Sequence, residues 1–220
     1  MGIQARKQTE YSLIDFLLET ELGYMKNYIN DQSKLLKIHE ENVKTMIDKE
    51  IIWIDDKPLF PFGLDTMINS SFFTNNIFYK STFITLYSFL ESLLKEISRI
   101  ERKKMKLTIA PKDLRGQGVL LYKDYLVKVI QIDFKQLNSL WSQIDDARIV
   151  RNYLVHDYLD YADRSETKDM ERISKSNPSL SFNPHDKTLA IIENKYLLDF
   201  CTLINLFTNA LLNLLRDRDN

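Results

Sequence analysis

The chain has one cysteine, Cys201, in 220 residues. A lone thiol excludes an internal disulfide framework and a cysteine-based metal cluster, and it fits a reducing, cytoplasmic setting. Glycine and proline are scarce, at five each. With Leu, Ile, Lys and Glu abundant, that scarcity favours helices over a sandwich or barrel. Neither sign of charge prevails: 30 basic against 31 acidic residues leave a net charge of −1. Broad, sequence-blind coating of nucleic acid needs a large positive field, so that class is disfavoured, although a local basic cleft is not. No uninterrupted apolar run approaches ~20 residues, so no membrane span is expected. The opening MGIQARKQTEYS lacks the apolar core of a signal peptide, and Arg6 stands where N-myristoylation asks for Ser or Thr.

Several chemical signatures are missing too. RGQG at 115–118 is neither a Walker loop nor a dinucleotide fingerprint, both of which need a set glycine spacing between strand and helix. There is no HExxH and no GxSxG. His39, His156 and His185 are scattered, without a carboxylate at metal-ligand spacing. No metal and no other cofactor is expected, and any activity must work with few groups.

What is present is helical periodicity. From about Glu10 to Glu50, apolar residues recur at Ile14, Leu17, Leu18, Leu22, Met25, Ile29, Leu36, Val43 and Ile47, a helix broken once or twice. IIWIDDKPLFPFG, at 51–63, reads as a short extended piece or hairpin around an Asp-Asp-Lys-Pro turn. Asn75 to Lys104 carries a stripe from Phe83 to Ile100, and GVLLYKDYLVKVI opens a helix at Gly118. A further helix runs from Asp133 or Phe134 to about Arg164. The polar stretch from Ser165 to Pro184 breaks the pattern and ends in a hairpin, Leu180–Phe182 against Thr188–Ile192. The last helix runs from Asn194 to Arg216. The expected fold is all-α: a four- or five-helix up-and-down bundle with minor β-hairpin or loop excursions. Residues 66–220 form the main bundle. Residues 1–65 form an N-terminal helical extension, either part of the same compact unit or an appendage.

The chemistry concentrates in DDARIVRNYLVHDYLDYADR, at 145–164. On a helix, Asp145, Arg148, Asn152, His156 and Asp163 fall within an arc of roughly 80°, with Ala147, Val150 and Leu154 broadly opposite. Asn152 and His156, four apart, are neighbours. Arg151 lies about 140° round from His156, so one straight helix does not aim both at one small group. A distorted helix, or a second copy of the chain, could. Arginine holds phosphate through two hydrogen bonds, and histidine transfers protons near neutral pH. Together they suit metal-free cleavage of RNA, in which the neighbouring 2′-hydroxyl is the nucleophile. The plain reading of the same residues is a solvated helix surface.

RNYLVH, in this helical context, resembles the Arg–four to six residues–His motif of HEPN domains, including the asparagine after the arginine. The resemblance extends over about residues 70–216, through FLESLLKEI and the RGQG-then-helix stretch. It implies a metal-independent endoribonuclease, a hydrolase of toxin–antitoxin or antiviral defence systems, active as a homodimer whose two motifs form one site. By that resemblance Arg151 binds the scissile phosphate, Asn152 orients it or His156, and His156 moves protons. The product carries a 2′,3′-cyclic phosphate or a 3′-phosphate. One branch of the family extends the motif to His-x-Tyr, here His156-Asp157-Tyr158, and a nucleotidyltransferase antitoxin partner silences the toxin by attaching AMP to the tyrosine. Tyr158 is thereby a candidate regulatory modification site, with packing on an amphipathic helix as its plain reading.

Supporting residues follow. Glu91 interrupts an apolar helix and could hold Arg151 or Arg148, or else stand in water or bridge Lys95, a contact worth only ~0.3–0.5 kcal/mol. Asn194, Thr202, Asn205, Asn209 and Asn213 make an uncharged polar stripe on the last helix, suited to a hydrogen-bonded interface or to solvent. The basic run from Arg99 to Lys106 could track an RNA backbone or simply end a helix. Two other functions stay open: a catalytically inactive HEPN module that binds RNA or a partner protein, and a helical interaction protein in which the motif is fortuitous.

Overall fold

The computed structural model describes residues 11–50, 52–54, 57–59, 64–156 and 164–218. The N-terminal periodicity forms one long helical run in three pieces. Helix α1 (Ser12–Phe16) passes through a π turn at Leu17–Glu21 into α2 (Leu22–Glu50). The break expected from the sequence is therefore a widened turn, which shifts the buried face so that Ile14, Leu18, Leu22 and Ile29 all point inward. A hairpin follows, β1 (Ile52–Ile54) antiparallel to β2 (Lys57–Leu59), with Ile52 opposite Leu59.

Helix α3 (Leu64–Lys104) is the axis of the molecule. It begins eleven residues before the expected Asn75, because its first three turns, rich in Ser, Thr and Asn, carry little apolar periodicity. Its last turn holds Arg102, Lys103 and Lys104, which suit the negative end of the helix dipole. It ends at Lys104, and two residues on the left-handed φ of 52° at Lys106 lets Leu107 N–H reach back to Arg102 O at 3.0 Å. Then come α4 (Gly118–Lys128), a 3₁₀ turn at Phe134–Leu137 capped by Asp133, and α5 (Asn138–His156). The last helix, α7 (Asn194–Arg218), packs on α2, α3 and α5, α3 also packs on α2 and α5, and α4 lies against α3.

One expectation needs correction. The polar stretch after the motif is helical: α6 (Arg164–Ser176) runs through most of it. Among the described residues of α6, only Met170 and Ile173, one turn apart, reach its buried face. Two apolar positions are too few to register as a period, yet they suffice once Arg172 clamps Asp146 of α5 with two hydrogen bonds at 2.7 and 3.2 Å. The second hairpin matches expectation. β3 (Leu180–Asn183) pairs with β4 (Thr188–Ile191), and Leu180, Leu189 and Ile191 are buried. Asp186 closes its turn by accepting from Thr188 N and Oγ1 at 3.0 and 2.7 Å.

The core is continuous from Tyr11 to Leu215, and residues on α1 and α2 belong to it with those of α3, α5 and α7. A buried polar knot fastens the N-terminal segment. The Tyr11 hydroxyl and an Arg218 guanidinium nitrogen both donate to Glu101, which is fully buried, and Lys104 joins them at 3.3 Å. Beside it, Arg216 of α7 bridges Asp15 of α1 at 2.7 Å. By length and composition α7 could cross a bilayer; in this fold Leu197, Phe200, Ile204, Phe207, Leu211 and Leu215 line the bundle interior.

Phe207 sits at the centre, its ring 5.8 Å from Trp141 and 6.2 Å from Phe134. Phe207→Ala is expected to destabilise the fold by about 3–5 kcal/mol through lost burial and a cavity, read as a lower midpoint in chemical denaturation. Cys201, fully buried in the same helix, has its thiol pKa pushed up to about 11, chiefly by burial. A neutral, inaccessible thiol is a poor nucleophile. Native protein at pH 8 should leave an aromatic disulfide reagent almost unreacted, and denaturant should release one equivalent promptly.

Candidate functional site

The sequence motif lies on the last two turns of α5. The apolar side of those turns is fixed by Ala147, Val150 and Leu154, all buried in the bundle. Tyr153 is also buried: its ring meets Phe182 edge-on at 5.5 Å, and its hydroxyl donates to Lys187 O at 2.7 Å. Hairpin β3–β4 therefore braces the motif helix from one side, while α6 braces it through Asp146. These contacts set the rotation of α5, which leaves Arg148, Arg151 and Asn152 half-buried on the remaining face.

The two arginines are held differently. Arg148 Nε donates to Asp145 Oδ1 at 2.7 Å, so its charge is neutralised within its own helix. Arg151 Nη1 donates to Asn152 Oδ1 at 3.2 Å. The amide oxygen orients the guanidinium without cancelling its charge. Among the described residues Arg151 has no carboxylate within ion-pair distance. His156 ends α5 as the last described residue of that helix; its backbone lies about 7.5 Å along the axis from Arg151, five residues at the helical rise. Tyr158 and Asp163 lie outside the described residues, as does Tyr161.

Across from the arginines stands α3. Tyr87 is buried, stacked on Phe200 with ring planes 9° apart and centroids at 6.3 Å. Its phenol pKa is raised, first by burial; Glu91 and Asp145 add to the rise, while Arg148 and Arg151 oppose it. Four charged groups of α3 and α5 therefore act on one hydroxyl. Glu91 bridges neither arginine nor Lys95 among the described residues. Its carboxylate points instead to the start of α4: Oε2 lies 3.9 Å from where a Cβ on Gly118 would stand. Gly118 has φ +62°, a conformation that resists any side chain, and it opens a helix whose amino end favours a carboxylate. Tyr122, one turn along α4, has its pKa raised by burial and then by Glu91.

Arg148, Arg151, Asn152 and Glu91 thus share one region, where α3, α4 and α5 meet. Tyr87, Tyr122 and Gly118 complete it, and sequence reasoning missed all three. Tyr87 was legible, one turn before Glu91, but it read as part of the apolar stripe. The glycine pair of RGQG was visible only as a loop. The other sequence candidates disperse. Arg99 bonds Glu96 at 2.7 Å, and Arg102 donates to Leu107 O and Thr108 O at 3.3 and 3.0 Å, so much of the basic run is occupied in closing its own helix. Asn205 and Asn209 bond each other at 3.0 Å and line a cleft of about 400 Å³ with Asp15, Glu19 and Lys26, whereas Asn194 lies elsewhere. Among the described residues, no group of three or more His, Cys, Asp or Glu side chains is placed to hold a metal ion.

No family model, curated protein or solved structure matches this chain.

Proposed function

We propose that the protein is a metal-independent endoribonuclease of HEPN type, acting as a homodimer in toxin–antitoxin or antiviral defence. The observation that carries this reading is Arg151: half-buried, oriented by Asn152, unneutralised by any described carboxylate, and five residues before His156. A structural arginine in that position would be expected to sit against an acid, as Arg148 does. A guanidinium steered by a neutral amide keeps both charge and donors for an incoming anion.

In the reaction the RNA supplies its own nucleophile. Arg151 holds the scissile phosphate. The 2′-oxygen attacks phosphorus, the bond to the 5′-oxygen breaks, and a proton passes from the 2′-hydroxyl to the departing 5′-oxygen with His156 as the relay. The products are a 2′,3′-cyclic phosphate and a 5′-hydroxyl end. Pairing two copies brings the Arg151 of one helix to the His156 of the other, which answers their separation around a single helix. A nucleotidyltransferase partner modifying Tyr158 would be the matching control, and a cytoplasmic setting follows from the substrate.

The test is incubation of purified protein with total RNA in excess EDTA, with chemical analysis of the new ends. Cleavage leaving cyclic phosphates supports the enzyme. RNA that stays intact on every substrate tried, yet binds, moves the protein to the inactive HEPN module.

A further inference from the structure

Helix α2 has two apolar faces, and the bundle uses one of them. Leu22, Ile29 and Ser33 are buried in the core. Tyr24, Tyr28, Leu35, Ile38 and Met46 fall on the opposite side, within an arc of roughly 80° at ~100° per residue, and each is 47–67% exposed. Tyr28 leans on Phe78 of α3, the ring centroids 6.0 Å apart, and still keeps half its surface in water. Single exposed apolar residues are ordinary. Five in one stripe on one helix mark a contact surface.

The spacing says what covers it. Positions 24, 28, 31, 35, 38, 42 and 45, all exposed, alternate steps of four and three, which is the seam of a two-stranded coiled coil. Asp31, Asn42 and Thr45 interrupt its apolar run, and they choose the occupant. Helix α2 carries five lysines against five acids, so it favours neither an anionic nor a cationic surface. Laid antiparallel on its own copy, about an axis between Leu36 and Lys37, it is complementary to itself. Leu35 of one copy packs on Ile38 of the other. Asp31 faces Asn42, whose amide donates to the carboxylate. Tyr28 faces Thr45. At the flank Lys34 faces Glu41, once on either side of the axis. Laid parallel, the same seam sets Asp31 against Asp31 and forfeits the Lys34–Glu41 pairs. Within one chain Lys34 bridges Asp31 at 3.1 Å with both ends well exposed, a contact weak enough to yield.

We propose that α2 pairs antiparallel with α2 of a second copy of this chain, with Leu35 and Ile38 at the centre of the seam and Lys34–Glu41 pairs along its flank. The apolar centre drives the association. The charges and the Asp31–Asn42 layers set direction and register. None of these residues lies on α5, so the seam is separate from the pairing of motifs in the proposed reaction, and it holds whether or not the protein cleaves RNA. Where α5 pairs as well, the two contacts together join chains beyond a dimer.

The experiment is sedimentation velocity of the full chain at micromolar concentrations. Wild type is expected to self-associate reversibly. The double variant Leu35→Asp with Ile38→Asp should halve the mass of the assembly. Both side chains are more than half exposed, so its melting temperature should stay near wild type. If it does unfold, the charge variants carry the comparison. Lys34→Glu and Glu41→Lys each set like charges at both flanking pairs and should weaken association at least about tenfold. Their equimolar mixture restores both pairs between unlike chains and should regain the wild-type mass, which a parallel seam does not allow. These variants keep Arg151 and His156, so their RNA cleavage in EDTA should match wild type. Association through α2 with RNA left intact would count against the ribonuclease and for the seam. A wild type that stays monomeric, a mass that neither kind of variant lowers, or a mixture no heavier than its components overturns the proposal.

Discussion

His156→Ala is expected to lower RNA cleavage in EDTA by about 100- to 10,000-fold, the span that a positioned general acid–base group supplies. The RNA affinity of the variant should stay near wild type, since a proton relay contributes little to holding the substrate. Arg151→Ala is expected to lose activity to a similar degree and to lose affinity as well, because in the proposed mechanism its guanidinium holds the phosphate. Arg151→Lys restores the charge but not the planar fork, so it should recover binding better than turnover. That contrast between rate and affinity distinguishes a catalytic pair from two surface residues. The fold should survive each change, since α5 is anchored by Val150, Tyr153 and Leu154 on its other side. Equal cleavage by wild type and both alanine variants would mean that a contaminating nuclease, not this chain, cuts the RNA.

A different kind of loss is expected at Glu101. Its carboxylate is fully buried and receives Tyr11, Lys104 and Arg218. Glu101→Ala leaves without their acid the cations of Lys104, largely shielded from solvent, and of Arg218, whose side chain is 30% exposed. Breaking one side of a buried pair typically costs about 3–5 kcal/mol. For a chain of this size that lowers the melting temperature by roughly 6–20 °C. Glu101→Gln keeps the shape and one acceptor and should cost less. The defect should also be local. Tyr11 anchors α1 through this carboxylate, so amides of residues 12–16 should exchange faster in Glu101→Ala than those in the middle of α7. Uniform acceleration across the chain would contradict a local clasp.

These expectations draw on different depths of information. The helical bundle was legible because apolar residues at spacings of three and four must share a face, and α3, α4, α5 and α7 each display such a stripe. The second hairpin was legible from its turn residues. Helix α6 was not, because its two inward residues carry too little pattern, and the Arg172–Asp146 contact that supports it joins residues 26 apart. The knot at Glu101 was equally hidden. It lies in a run of basic residues that reads as a solvated helix end, and its partners come from positions 11 and 218.

The candidate site divides in the same way. Linear order alone determined that Arg151, Asn152 and His156 lie on one helix, that Asn152 and His156 are neighbours, and that Arg151 is turned away from His156; helix geometry leaves no other choice. Only the structure decided which arginine is spent internally and which keeps its charge, because Asp145 reaches Arg148 and Asn152 reaches Arg151 along one helix, a choice of side-chain rotamers that spacing alone leaves open. It decided too that Glu91 turns to the start of α4 rather than to either arginine. A periodic pattern sets which face of a helix is buried. It cannot set what a polar side chain will meet, since the partner is chosen among rotamers along the same helix, as for the arginines, or comes from a helix whose rotation the whole core determines, as for Glu91.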